Sequence, residues 1–220
     1  MAIIQPFQLI VIVTLMFSSF SHLAIAKEIA DVQQDINSQL NTKLSEFQSA
    51  FEQLDTKSLT SIYANDAVFI SESRNDEIVQ GKSKILKLYQ SFFDKITRKK
   101  ATLEVDFRVI ERRLRPQSAI DVGYYIVRFH PAKESGEPVS EFAGKFINNY
   151  ELDESGNWYL AVDANTRSQA DLYYNAKPAA NLYFGRQFIE QQSYKQDETP
   201  TPRQDQYKDE DQAANANEQH

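Results

Sequence analysis

Near residue 100 the spacing of the apolar residues changes, and that change restricts the fold more than any other feature of the chain. Over 36–54, Ile36, Leu40, Leu44, Phe47, Phe51 and Leu54 recur at steps of four and three, which puts them on one stripe of an α-helix. A second stripe of Ile85, Tyr89, Phe92 and Ile96 follows over about 83–96, with Ser83 placed to cap its start. From residue 101 the step becomes two. Leu103, Val105, Phe107 and Val109 alternate with Glu104, Asp106 and Arg108, the pattern of a strand with one face in the core and one in water. Ile110 breaks the parity and predicts a bulge. Strands over 118–129, 142–152 and 158–164 follow, the last two joined by the hairpin turn Asp153-Glu154-Ser155-Gly156. Helices first and long antiparallel strands after predict an α+β fold: a curved antiparallel sheet wrapped over N-terminal helices.

Between the helices, Asp55-Thr56 ends the first, and Thr56 is placed to cap a short second helix through Leu59, Ile62 and Tyr63. Asn65-Asp66 carries turn chemistry, after which 67–70 reads as a short strand.

The two ends of the chain differ from its middle. Residues 1–26 contain no Asp, Glu, Lys or Arg, and an apolar run from Phe7 to Phe20 leads to Ala24-Ile25-Ala26 before Lys27. Small residues at −3 and −1 after such a run fit a removable signal peptide, and the run is short for a membrane span. The expectation is export, periplasmic or secreted, with cleavage before Lys27 and no stable membrane anchor afterwards. Residues 27–35 then form a linker, 36–166 the domain, and 167–194 an extension that docks in part through residues such as Tyr173, Tyr183 and Phe184. Residues 195–220 are nearly all polar, too poor in apolar surface to offset the ordering entropy, and are expected to be a disordered tail. The chain has no Cys, so the fold rests on its core alone.

Charge and motif content exclude several functions. A net charge of −7 gives no global attraction to phosphate backbones and argues against nucleic acid as a partner. The basic residues Arg98, Lys99, Lys100, Arg112, Arg113 and Arg115 read as a solvated face. The three His residues are His22, His130 and His220, in the leader, beside Pro131 and at the last position, so neither a histidine-based metal site nor a Ser-His-Asp triad is expected. Gly81-Lys82-Ser83 has the form of a P-loop end, but Asp76 stands where the leading glycine belongs. No cofactor or metal follows from the sequence.

The string Phe51-Glu52-Gln53-Leu54-Asp55, then Leu59, then Tyr63-Ala64-Asn65-Asp66-Ala67-Val68-Phe69 resembles the opening of nuclear transport factor 2-like domains. Gly81 before the third helix fits, as do Gly144-Lys145-Phe146, Trp158 and Asp163 near the end. The resemblance covers about 36–166 and is nearest to the SnoaL-like and ketosteroid isomerase-like branch, which includes many exported bacterial domains without an assigned activity. It implies a cone with an apolar pocket but no single chemistry, because this fold hosts several. Counted from the Asn65-Asp66-Ala67 turn, the tyrosine donor of the isomerases falls on Phe47 and their carboxylate base on Ser71, while their second donor falls near Asn148. Two of three parts are therefore replaced, and steroid isomerisation by that route is not expected.

The resemblance makes Ser71, Asn148 and Asp163 the candidate polar groups of the pocket. Phe47, Phe51, Tyr63, Phe69, Phe107, Phe146 and Tyr150 are its candidate lining. Asn148 reads either as a donor to a ligand carbonyl or as an amide tied to its neighbours. Asp163 reads as a pocket acid with a raised pKa or as a cap on a nearby loop. The expected function is an exported small-molecule pocket protein, binding or acting on a hydrophobic or carbonyl-bearing compound. The alternative is a non-catalytic dimerisation or protein-binding module, since relatives commonly pair as homodimers through the outer sheet face.

Overall fold

The computed structural model describes residues 6–73 and 76–186, with side chains described at position 25 and from 27 onward. The expected tail over 195–220, the end of the extension over 187–194 and the first five residues lie outside these. Helix α1, Pro6–Glu52, runs through the end of the expected leader and through 27–35, so the expected linker is helical and exposed. Among the described residues no helix is long and apolar enough to cross a membrane. Leu40 and Leu44 are fully buried and Phe51 nearly so, while Ile36, Phe47 and Leu54 pack on the rim of the same core.

Leu54 takes a left-handed conformation, φ 56°, that turns the chain after α1. The cap of α2, Thr56–Leu59, is Asp55 rather than Thr56: its carboxylate accepts from the amides of Lys57 at 2.9 Å and Ser58 at 3.2 Å. The helix is also shorter than expected, because Tyr63 already opens β1, Tyr63–Ile70. Asn65 and Asp66 lie inside that strand, at the point where its pairing slips, so their turn chemistry makes an irregularity rather than an end. A two-residue strand β2, Val79–Gln80, precedes α3, Lys82–Arg98. Gly81, at φ 90°, holds the cap position expected for Ser83 and makes no side-chain cap bond. Phe93 replaces Phe92 on the buried stripe of α3.

Strands β3 (Thr102–Leu114), β4 (Ser118–His130), β5 (Ser140–Leu152) and β6 (Trp158–Ser168) form an antiparallel meander, and the six strands lie in the order β2-β1-β6-β5-β4-β3. The sheet is curved and does not close. One pairing departs from the antiparallel expectation: β1 lies parallel to β6. A short helix α4, Ala170–Tyr174, and the residues up to Arg186 follow β6.

The expected bulge falls between Val109 and Glu111, and it has a consequence for charge. Before it, odd-numbered residues of β3 face the helices. After it, Arg112 does. Arg112 therefore meets Asp121 of β4, donating to both carboxylate oxygens at 2.6 Å, with both side chains essentially out of water. The same guanidinium donates to the carbonyl of Asn37 at 3.0 Å, tying α1 to the sheet. Arg112 is thus removed from the solvated basic face expected for it.

Candidate functional site

A cavity of about 630 Å³ lies between the helices and the sheet. Its walls are aromatic because each element turns its apolar parity inward: Phe47 and Phe51 from α1, Phe69 from β1, Phe107 from β3 and Phe146 from β5. Phe107 meets Phe47 and Phe146 edge-on, at centroid distances of 5.7 Å in both cases. Such pairs add about 0.5–1.5 kcal/mol each beyond the area they bury, so the walls hold their shape around the space.

The polar end is built where β5 meets β6. Asn148 and Asp163 are direct partners across those strands, both buried and both lining the cavity. An extra residue in β6, Ala161, between the pairs Asn149–Val162 and Tyr150–Leu160 turns Leu160 to the cavity face, where Tyr150 also stands. Asp163 accepts from three neutral donors: Tyr63 and, at 3.4 Å, Tyr89 on Oδ2, and Asn165 at 2.7 Å on Oδ1. The two tyrosine hydroxyls are 3.1 Å apart. Burial raises the Asp163 carboxyl above the usual carboxylate range, against the lowering effect of these hydrogen bonds. Burial, then the charge of Asp163, raises both tyrosines well above the ordinary phenol value. Tyr63, Tyr89 and Asp163 thus form one buried hydrogen-bonded cluster.

Asn148 is different. Its Nδ2 donates to the Tyr150 hydroxyl at 3.3 Å, while its Oδ1 is buried without a hydrogen-bond partner. An amide can be turned over without changing its shape, so what the geometry fixes is that one end of a buried amide is unsatisfied beside a cavity. Leaving such a group unpaired costs about 1–3 kcal/mol.

The rim carries charge. Glu72 pairs with Arg167 at 2.6 Å and accepts from the Tyr125 hydroxyl at 2.6 Å. The Arg167 guanidinium lies 4.2 Å from the centre of the Phe142 ring. Ser71 lines the cavity at this rim, but its hydroxyl donates to Asp76 at 2.8 Å and accepts from the Ser73 amide at 3.1 Å, so it is occupied by its own loop. Among the described residues no group of three or more His, Asp or Glu side chains is arranged to hold a metal ion.

Of the seven residues expected to line the pocket, Phe47, Phe51, Phe69, Phe107, Phe146 and Tyr150 do so. Tyr63 does not: it stands behind Asp163, where its hydroxyl supports the carboxyl instead of facing the space. The sequence reading missed Tyr89 and Asn165 as members of the polar cluster, and Glu72, Tyr125 and Arg167 as the rim. Asn165 shares the parity of Asp163 two residues on, which was a usable signal. Tyr89 was read as core, and nothing in its spacing says that its hydroxyl would reach a carboxylate.

No protein-family model matches the chain, and no curated protein sequence is similar to it. Solved structures are similar. A nuclear transport factor 2-like protein with a cystatin-like fold from Novosphingobium aromaticivorans superposes with a TM-score of 0.53 at 8% identity, over 68% of this chain and 92% of that one. A conserved protein from Planctomyces limnophilus superposes with a TM-score of 0.50 at 22% identity, over 59% of this chain and 94% of that one. At these identities the likeness is one of fold.

Proposed function

The chain has the nuclear transport factor 2-like fold, and from that premise we propose that it is a pocket protein for a small hydrophobic molecule carrying one carbonyl or hydroxyl group. The observation that carries this reading is an aromatic-walled cavity of about 630 Å³ with an unsatisfied amide at its polar end. That volume is within the range of small-molecule sites. The free end of Asn148 supplies the hydrogen bond that fixes the ligand's polar group, and the Asp163–Tyr63–Tyr89 cluster beside it supplies a proton donor. Phe47 has no hydroxyl and the Ser71 hydroxyl is held by Asp76, so isomerisation through a tyrosine donor and a carboxylate base at these positions lacks its proton carriers. Titration with the neutral dye Nile red tests the reading: saturable binding at one site per chain is expected, abolished by Val127→Trp, which fills the cavity from its β4 wall. Binding that never saturates, or that survives the substitution, refutes it.

A second reading concerns the outer face of the sheet. Val122, Ile147, Ala164 and Ile70 are successive direct partners across β4, β5, β6 and β1. Val122 is 41% exposed, Ile147 51% and Ile70 38%. An exposed apolar row of this kind marks an interaction surface, and it supports a homodimer formed through that face. A monomer in light scattering at micromolar concentration would count against it.

The charge-free leader and its Ala24-Ile25-Ala26 end support export, to a periplasmic or extracellular location. Sequencing the exported protein from its N-terminus should give Lys27 first; Met1 in a membrane fraction would contradict cleavage.

A further inference from the structure

Four polar residues alternate in sequence with four residues of the cavity wall. Gln48 follows Phe47 and Glu52 follows Phe51 on α1, while on β3 Asp106 follows Val105 and Arg108 follows Phe107. The segment 169–186 is built on these four. Tyr173, fully buried, donates to Asp106 Oδ2, and the Arg186 amide donates to Asp106 Oδ1 at 3.0 Å. The Arg108 guanidinium lies between the rings of Tyr173 and Phe184, 4.1 and 4.5 Å from their centres, and donates to the Tyr174 carbonyl at 3.1 Å.

The same segment also extends the sheet. The Val109 amide donates to the Tyr183 carbonyl at 2.9 Å, and the Gly185 amide to the Phe107 carbonyl at 3.1 Å, so residues 183–185 add a rung to the outer edge of β3. Contact with α1 completes the arrangement. Tyr183 donates to Gln48, and Arg186 pairs with Glu52, whose carboxylate also accepts from the Val105 amide at 3.1 Å. Gly185 packs so closely that a Cβ there would fall 1.9 Å from Asp106 Oδ1.

We propose that residues 169–186 are a clamp that fixes α1 against β3 and thereby sets the distance between the two aromatic walls of the cavity, so that ligand affinity depends on side chains that never touch the ligand. The proposal rests on the reading of the cavity as a ligand site. Gln48, Glu52, Asp106 and Arg108 each stand one residue along the chain from a wall residue, and neither a helix turn nor a strand can shift the one without the other. Linkage is reciprocal: a ligand that fits the clamped cavity tightens the clamp.

The test uses the full chain, Nile red as probe, and two variants. Gly185→Ala places a methyl group on the Asp106 carboxylate; Tyr173→Phe removes a hydrogen bond without adding bulk and serves if the first variant does not fold. Both lie outside the cavity lining. The expected result is Nile red affinity at least about five-fold weaker in Gly185→Ala, the lower end of couplings between linked sites, and weaker in the same direction in Tyr173→Phe, with cooperative melting retained. In the wild type, saturating Nile red should slow hydrogen exchange at the Val109 and Gly185 amides. Unchanged affinity in both variants, or exchange that ignores the probe, overturns the clamp and leaves the ligand site standing. Failure of the wild type to bind the probe overturns both.

Discussion

Raising the pH should destabilise this protein, and Asp163→Asn should remove a defined part of the effect. In the folded chain the Asp163 carboxyl is raised by burial, while in the unfolded chain it titrates at about 3.9. Across the window from about pH 4 up to the raised folded value, the folded state holds a proton that the unfolded state has released. Stability is therefore highest below the window and falls as pH rises through it, by about 1.4 kcal/mol per pH unit while the difference is one full proton. Above the folded value the slope ends, because both states are then ionised. An asparagine carbonyl still accepts from Tyr63 and Tyr89 but cannot ionise. Urea unfolding followed by the fluorescence of Trp158, the single tryptophan and 2% exposed, measures the stability of both proteins from pH 4 to 8. The buried acids Asp106 and Asp121 are common to both and cancel in the difference. The wild-type curve should fall relative to that of Asp163→Asn as pH rises. Parallel curves would show that Asp163 is ionised throughout, and the idea of a proton held at the polar end of the cavity would fail with them.

Arg112→Ala should cost about 3–5 kcal/mol, because it leaves the fully buried Asp121 carboxylate without its cation; Trp158-detected unfolding checks this, and a loss under 1 kcal/mol would mean that water reaches the pair. Ile147→Lys should turn the proposed dimer into a monomer in light scattering while changing the unfolding free energy of the subunit by no more than about 0.5 kcal/mol, as for other exposed positions; an unchanged dimer would place the interface elsewhere.

The helix and strand periods carried most of the architecture. Leu40, Leu44 and Phe51 had to share a stripe, and Leu103 to Val109 a face, because those spacings bury apolar area in one way only. The bulge at Ile110 was legible for the same reason. The parallel pairing of β1 was not, since a short strand carries no mark of its neighbour's direction and Asn65-Asp66 reads locally as a turn. Site residues divide along the same line. Parity put Phe47, Phe107 and Phe146 on the buried side of their elements, and the resemblance made that side a cavity wall. The roles of Tyr63 and Tyr89 depend on where two hydroxyls end up relative to a carboxylate 100 and 74 residues away, and no local pattern encodes that.

The largest error of parity has a single cause, and it bears on function. Asp106 and Arg108 read as the wet face of a half-buried strand, yet they are 0% and 5% exposed. Strand alternation tells which side of a sheet a residue takes, and whether that side meets water depends on a further layer. Here the layer is the chain's own segment 169–186, whose tyrosines and glycine have no period to announce them. It covers the β3 end of the outer face and leaves the row through Val122 and Ile147 open. A chain ended at residue 166 would therefore keep every wall residue of the cavity and lose the partners of Asp106 and Arg108, two buried polar groups. Such a cut would shift both the exposed charge of the outer face and the seating of α1, so binding measured on the shortened chain would not report the affinity of the intact one.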